Sequence, residues 1–203
     1  MTLREPHVST IARQTRLRAR SALVAALASL LAACGGGGDS APTPPSGAPT
    51  VPAGTDMGCG IAGFRDEALR LINQYRAAGA SCGSAGVFAP AGAVAWNDAL
   101  TSAAYGHSKD MADRNYFDHT TMPPAMGTPA TRVSATGYVW SSLGENIAAG
   151  QRSVAEVVGG WMASDGHCRN IMTGVFRDIG MACARNDSSQ YGLYYTLDLA
   201  APR

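Results

Sequence analysis

The chain has 203 residues, 46% hydrophobic and 15% charged, with a formal net charge of +1, 24 Gly, 11 Pro and five Cys. That length holds one domain and at most a small second one. The charge is too balanced for a phosphate-neutralising nucleic-acid binder, and past its first third the chain is too polar for a multi-spanning membrane protein. Residues 1–33 carry Arg4, Arg13, Arg16, Arg18 and Arg20 against Glu5, a net +4, which leaves −3 for the rest. The arginines precede one apolar run, Ala22 to Ala33, of 12 residues. A helical span needs roughly 20 residues at ~1.5 Å each, so this run is too short for a stable anchor and reads as part of a secretory signal over 1–33.

The end of that segment, Leu31-Ala32-Ala33-Cys34, resembles a bacterial lipobox. By that likeness the Cys34 thiol takes a diacylglycerol and becomes the first residue of a 170-residue mature protein on a membrane. Gly35 rather than Asp follows it, a pattern that in similar Gram-negative lipoproteins accompanies passage to the outer membrane. Residues 34–57 are rich in Gly, Pro, Ser and Thr without apolar periodicity. Such a stretch buries too little surface to offset its ordering entropy, and it reads as a disordered or polyproline-like spacer.

Residues 58–203 turn globular in composition and, at 146 residues, can bury roughly two-thirds of their unfolded surface. The other four cysteines, Cys59, Cys82, Cys168 and Cys183, all lie here. An even count in an exported chain implies two disulfides, with three connectivities possible. The spacings of 23, 86 and 15 residues lack the close pairs of a cysteine zinc site. Local closure favours Cys59 with Cys82 and Cys168 with Cys183.

Phe64, Ala68, Leu71, Ile72 and Tyr75 recur at helical spacing, which predicts a helix over 64–78 ended near Gly79. Asn97 caps a second helix, running to about Asn115, whose inward stripe is Leu100, Ala104, His107 and Met111. Ser153 caps a third, with Val154, Val157, Val158, Trp161 and Met162 on its apolar side. Near Ile179 to Ala184 and Tyr191 to Ala200 the period changes to two, predicting a pair of strands joined by a turn-rich link. Helices first and a strand meander last indicate an α+β fold with helices packed on an antiparallel sheet.

Three polar residues sit at the ends of elements, where scaffolds present chemistry. His119 closes Tyr116-Phe117-Asp118-His119, Glu145 lies in Gly144-Glu145-Asn146-Ile147, and His167 follows Trp161 and Ser164 ahead of Asn170-Ile171-Met172. With Asp178-Ile179-Gly180 after them, this ordered set resembles the bacterial branch of the CAP superfamily, the cysteine-rich secretory, antigen 5 and pathogenesis-related proteins with an SCP-like extracellular domain. The likeness covers essentially all of 64–200. It implies a three-layer α-β-α sandwich with helices on both sides of a small antiparallel sheet, and a cavity gathering His119, Glu145 and His167. A second cavity acid belongs three residues after Trp161, where Ser164 stands, and Asp165 is one position off. One residue on a helix rotates a side chain by about 100°, so mechanisms needing paired carboxylates are weakened.

Two imidazoles and a carboxylate are suitable ligands for a divalent ion, zinc first, and an open position on it activates water. The alternative is a knot in which Glu145 bonds one or both histidines. His107 reads as a core or supporting residue, Trp161 as packing, and Arg169 and Asn170 as backbone caps or bridges. Ser164 and His167 lie within one helical turn, Ser164 sits in no Gly-x-Ser-x-Gly elbow, and the chain has no His-Glu-x-x-His or P-loop. Three classes of function remain. One is a lipid-tethered binding module for a lipid, wall fragment or protein; the others are a metal-dependent envelope hydrolase and a structural or host-facing envelope protein.

Overall fold

The computed structural model describes residues 51, 52 and 54–203. The readings placed on residues 1–50, including the signal segment and Cys34, lie outside the described residues.

The helices read from sequence start at side-chain caps or in acidic first turns. Helix α1, Phe64–Ala78, carries Asp66 and Glu67 in its first turn, where they complement the helix dipole, and Gly79 at φ 75° ends it. Helix α2, Asp98–Arg114, begins on Asn97, whose side chain accepts from the amides of Ala99 (2.9 Å) and Leu100 (3.2 Å). Helix α4, Val154–Met162, is capped by Ser153, which accepts from the Glu156 amide at 3.2 Å. Two further helices were not anticipated: α3, Pro129–Ala135, opened by a Thr128/Thr131 capping box, and α5, Asp165–Met172, which carries His167.

The main sheet joins β3 (Ala95–Trp96), β5 (Asp178–Arg185), β6 (Leu193–Pro202) and β4 (Trp140–Ala149) in that spatial order. β4, β6 and β5 pair antiparallel, and the two residues of β3 add to β5 in parallel. A small ladder of β1 (Ala80–Ser81) with β2 (Val87–Phe88) stands apart. Helices cover both faces of the main sheet, giving the expected α-β-α sandwich. One face meets α1, α4 and α5 through Ile179, Met181, Tyr195, Leu197 and Leu199. The other meets α2 and α3 through Ala184, Tyr194 and Ala200. Burial on both faces explains why alternation in β6 was only half readable. Tyr191, expected within that strand, lies before it in the turn. Gly180 is obligatory here, since a Cβ on it would lie 2.1 Å from the Thr101 nitrogen at the start of α2.

The expected disulfide pairing is wrong. Cys59 bonds Cys183 and Cys82 bonds Cys168, with Cα atoms 5.4 and 5.5 Å apart. Local closure fails because the 15-residue α1, about 22 Å long at ~1.5 Å per residue, stands between Cys59 and Cys82. Cys183 instead meets the segment before α1, where its amide donates to the Met57 carbonyl at 2.7 Å. Cys168, on α5, faces the turn after Cys82, where the Ser84 amide donates to Asp165 at 2.8 Å.

Candidate functional site

β4 is the edge strand of the main sheet, and the site is built around it. Its outward carbonyls are covered by side chains rather than by another strand: the Trp161 indole donates to Ile147 O at 3.0 Å and the Asn170 amide to Glu145 O at 3.1 Å. These bonds blunt the edge against pairing with another chain. They also tie α4 and α5 to it. Asn170 further donates to Asn146 Oδ1 at 2.9 Å, and Asn146 donates to the His167 carbonyl at 3.1 Å, which fixes His167 beside the strand.

Glu145 points to the opposite face, toward α2 and α3. Its Oε1 meets His119 Nδ1 at 2.7 Å and its Oε2 accepts from Arg132 Nη2 at 2.6 Å, with the Glu145 side chain only 2% exposed and His119 49% exposed. Arg132, on α3, is the hub of the wall. It also donates to the carbonyls of His119 and Gly127, both at 2.9 Å, so one guanidinium shapes the loop carrying His119 and neutralises the carboxylate beneath it. The bond to Glu145 raises the proton affinity of His119 above the ordinary imidazole value, with burial opposing. His167 moves the other way, lowered by burial and by the charge of nearby His119.

Behind this pair lies a sealed polar group. His107, fully buried on α2, donates from Nε2 to the Asp118 carbonyl at 2.9 Å, and burial pushes its pKa down to about 4. Asp198, on β6, stands opposite Glu145 in the β4–β6 ladder and is 1% exposed. Burial, then the Glu145 charge, hold its carboxyl well above the usual carboxylate range. Both Asp198 oxygens, His107 Nδ1 and Arg132 Nε lack hydrogen-bond partners among the described residues. The second acid of the site thus comes from β6. Asp165, the neighbour of Ser164, turns away to accept from Ser84. Sequence reasoning missed both Arg132 and Asp198, because a helical arginine and a strand aspartate carry no motif and only the strand register makes them neighbours of Glu145.

The expected divalent ion fits this donor set poorly. Both Glu145 oxygens are engaged, and His119 Nδ1 is bound to one of them, leaving two imidazoles where zinc sites use three or four protein ligands. Among the described residues, no group of three or more His, Cys, Asp or Glu side chains is placed to hold a metal.

On the α4/α5 side of the β4 edge an open cleft of about 340 Å³ is lined by Phe117, Ile147, Trp161, Ser164, His167 and Tyr191, among others. His167 lines it and His119 does not, and its aromatic walls were not anticipated, apart from Trp161 as a packing residue.

An edge strand with an acid held between two partners, flanked by histidines from a loop and a helix in an α-β-α sandwich, defines the class. Residues 69–199 match the cysteine-rich secretory protein family, CAP, and the chain belongs to it. With that membership and two disulfides it is an extracellular CAP-domain protein. It is 39% identical over 92 residues to YkwD of Bacillus subtilis, covering 45% of this chain and 35% of that protein. An extracellular SCP-domain protein of Bacillus anthracis is 32% identical, with a TM-score of 0.48 and coverage of 55% of this chain and 34% of that one. The chain therefore spans about a third of the length of these two relatives. An outer surface protein of Borrelia burgdorferi shares the fold at 14% identity, with a TM-score of 0.52 over 68% of this chain and 89% of that one.

Proposed function

We propose that this extracellular CAP domain is a non-catalytic binding module of the cell envelope, carried on lipid at Cys34 behind a cleaved signal over 1–33, with the β4-edge cleft as its ligand site. The observation that supports binding over hydrolysis is the double engagement of Glu145. A general base must reach the proton it removes, and the Glu145 side chain is only 2% exposed, with one oxygen held on His119 and the other on Arg132. Ser164 leaves no acid at the family's second position, and Asp198, beside Glu145 on the same face of the sheet, is sealed at 1% exposure. Zinc enters this reading only as a weak guest of His119 and His167. The His119–Glu145–Arg132 assembly acts instead as a brace holding the loop that contributes Phe117 to the cleft.

The decisive experiment compares wild type with Glu145→Gln on ester, peptide and glycoside reporters, with and without added zinc. Binding predicts no turnover above buffer in either protein. A wild-type rate that zinc supports and Glu145→Gln reduces by roughly 100-fold or more would replace the module with an enzyme. For the anchor, Cys34→Ser is expected to move the protein from the membrane to the soluble fraction. A variant that stays with the membrane overturns that part of the proposal.

A further inference from the structure

The cleft beside β4 is chemically mixed in a way that narrows its occupant. Phe117 is 44% exposed and Tyr191 41% exposed, their rings meeting edge to face at a centroid distance of 5.9 Å. Two exposed rings offer apolar faces to a ligand that has apolar faces of its own. Among the described residues no Asp, Glu, Lys or Arg lines the cleft, and the imidazole that does, His167, is biased toward its neutral form by burial. An anionic or cationic ligand would lose its hydration without gaining a counter-charge, which is costly. A purely aliphatic chain fails for the opposite reason. Gln151 Oε1 lines the cleft enclosed and without a hydrogen-bond donor among the described residues, and Ser164, at the start of α5, uses no side-chain oxygen to cap its helix. Hydrocarbon would seal off the Ser164 hydroxyl and leave Gln151 Oε1, already closed to water, without a donor, and both are unfavourable. The volume of about 340 Å³ lies at the small end of the range for ligand pockets, ~300–1,000 Å³, and the cleft is open along its length.

We infer that the cleft binds an uncharged oligosaccharide, one sugar ring lying against Phe117 and Tyr191 while its hydroxyls and amide groups bond Gln151, Ser164 and His167. A pyranose ring combines what the lining demands: C–H faces for the aromatic rings, equatorial donors and acceptors for the polar groups, and no net charge. The inference rests on the binding reading above and names its ligand class.

The test titrates the full mature chain with N-acetylchitotetraose, palmitate and a heparin tetrasaccharide, followed by NMR shifts of the aromatic and histidine rings. The neutral sugar is expected to shift Phe117, Tyr191 and His167 and to leave buried His107 unmoved. Phe117→Ala, at a loop position half open to solvent, weakens sugar binding roughly tenfold, the scale of one lost aromatic contact. Gln151→Leu separates the ligand classes, weakening the sugar and strengthening palmitate. The inference is overturned if palmitate or heparin occupies the cleft in preference to the sugar, or if the sugar shifts residues elsewhere or none up to its solubility limit. Palmitate or heparin in the cleft leaves the binding-module proposal standing, whereas turnover dependent on Glu145 removes that proposal without regard to which sugar binds.

Discussion

The two faces of the main sheet are buried by different chemistry. Under α1, α4 and α5, the strands present Ile179, Met181, Leu197 and Leu199 to one continuous apolar core that includes Cys82, Cys168 and Cys183. Under α2 and α3 the apolar packing breaks into two small clusters, one around Met111 and Tyr194 and one around Leu100 and Val133. Glu145, Asp198, His107 and Arg132 bring charge and polarity to that second face. The first face does what a core does, removing apolar area from water at about 25 cal/mol per Å². Burying polar groups on the second face costs free energy unless every partner is in place. A fold of this size tolerates that cost because the opposite layer is crosslinked around one continuous apolar core, and its buried Arg76 has carbonyl partners at Gly92, Ile171, Thr173 and Phe176.

The contrast is broken most forcefully by removing one partner on the polar face. Arg132→Met leaves Glu145 buried with only His119 to compensate it. The expected loss is about 3–5 kcal/mol at alkaline pH, once the imidazole has given up its proton. At pH 5 a protonated His119 restores a counter-charge and the loss shrinks. Leu197→Ala, on the apolar face, costs about 2–5 kcal/mol by leaving a cavity, and that cost does not change with pH. Urea denaturation of both variants at the two pH values reads the difference. If Arg132→Met behaves like Leu197→Ala across pH, the guanidinium is a packing element and the electrostatic account of the wall is wrong.

Gly180→Ala sharpens the comparison at a smaller scale. It adds one methyl group on the α2 side, where backbone atoms of Leu100 and Thr101 stand 2.3 and 2.1 Å from the new carbon. Backbone gives less readily than a side-chain tip, so overpacking of about 1–3 kcal/mol is expected. Thermal unfolding with a melting temperature unchanged from wild type would show that α2 is not held against β5 as tightly as the geometry implies.

What the sequence revealed follows the same division. Helices α1, α2 and α4 were readable because each buries one stripe and starts at a recognisable cap or acidic turn. β4 was not, since its central residues Gly144, Glu145 and Asn146 are polar or without a side chain where an edge strand is expected to alternate. α5 is eight residues long with Gly166 and His167 inside it, too short and mixed for a periodic signal. The cysteine partners do not follow proximity along the chain, because the rigid helix α1 stands between Cys59 and Cys82. His119, Glu145 and His167 were legible only as an ordered resemblance. That Glu145 bonds His119 and Arg132, and that Asp198 backs it, follows from the β4–β6 register and the placement of α3, which no local pattern encodes.

The smallest effect is also the most diagnostic, because two histidines on the polar face titrate in opposite senses. Folding lowers the pKa of His107 to about 4, so between pH 6.5 and 4 the unfolded chain takes up a proton that the folded one refuses. His107 therefore contributes a loss of stability as pH falls, about 1 kcal/mol between pH 7.5 and 5.5. Folding raises the pKa of His119, so its contribution is fully present below the unfolded value and disappears as pH rises through the folded one. His107→Gln keeps a donor for the Asp118 carbonyl and is expected to make the protein gain stability more steeply on acidification. His119→Gln removes the bond that protonation strengthens and is expected to do the reverse. The slopes of unfolding free energy against pH for the two variants should thus diverge on either side of wild type. Parallel slopes would mean that the ring behind the wall and the ring in front of it share one environment, and that Glu145 and Arg132 do not separate them.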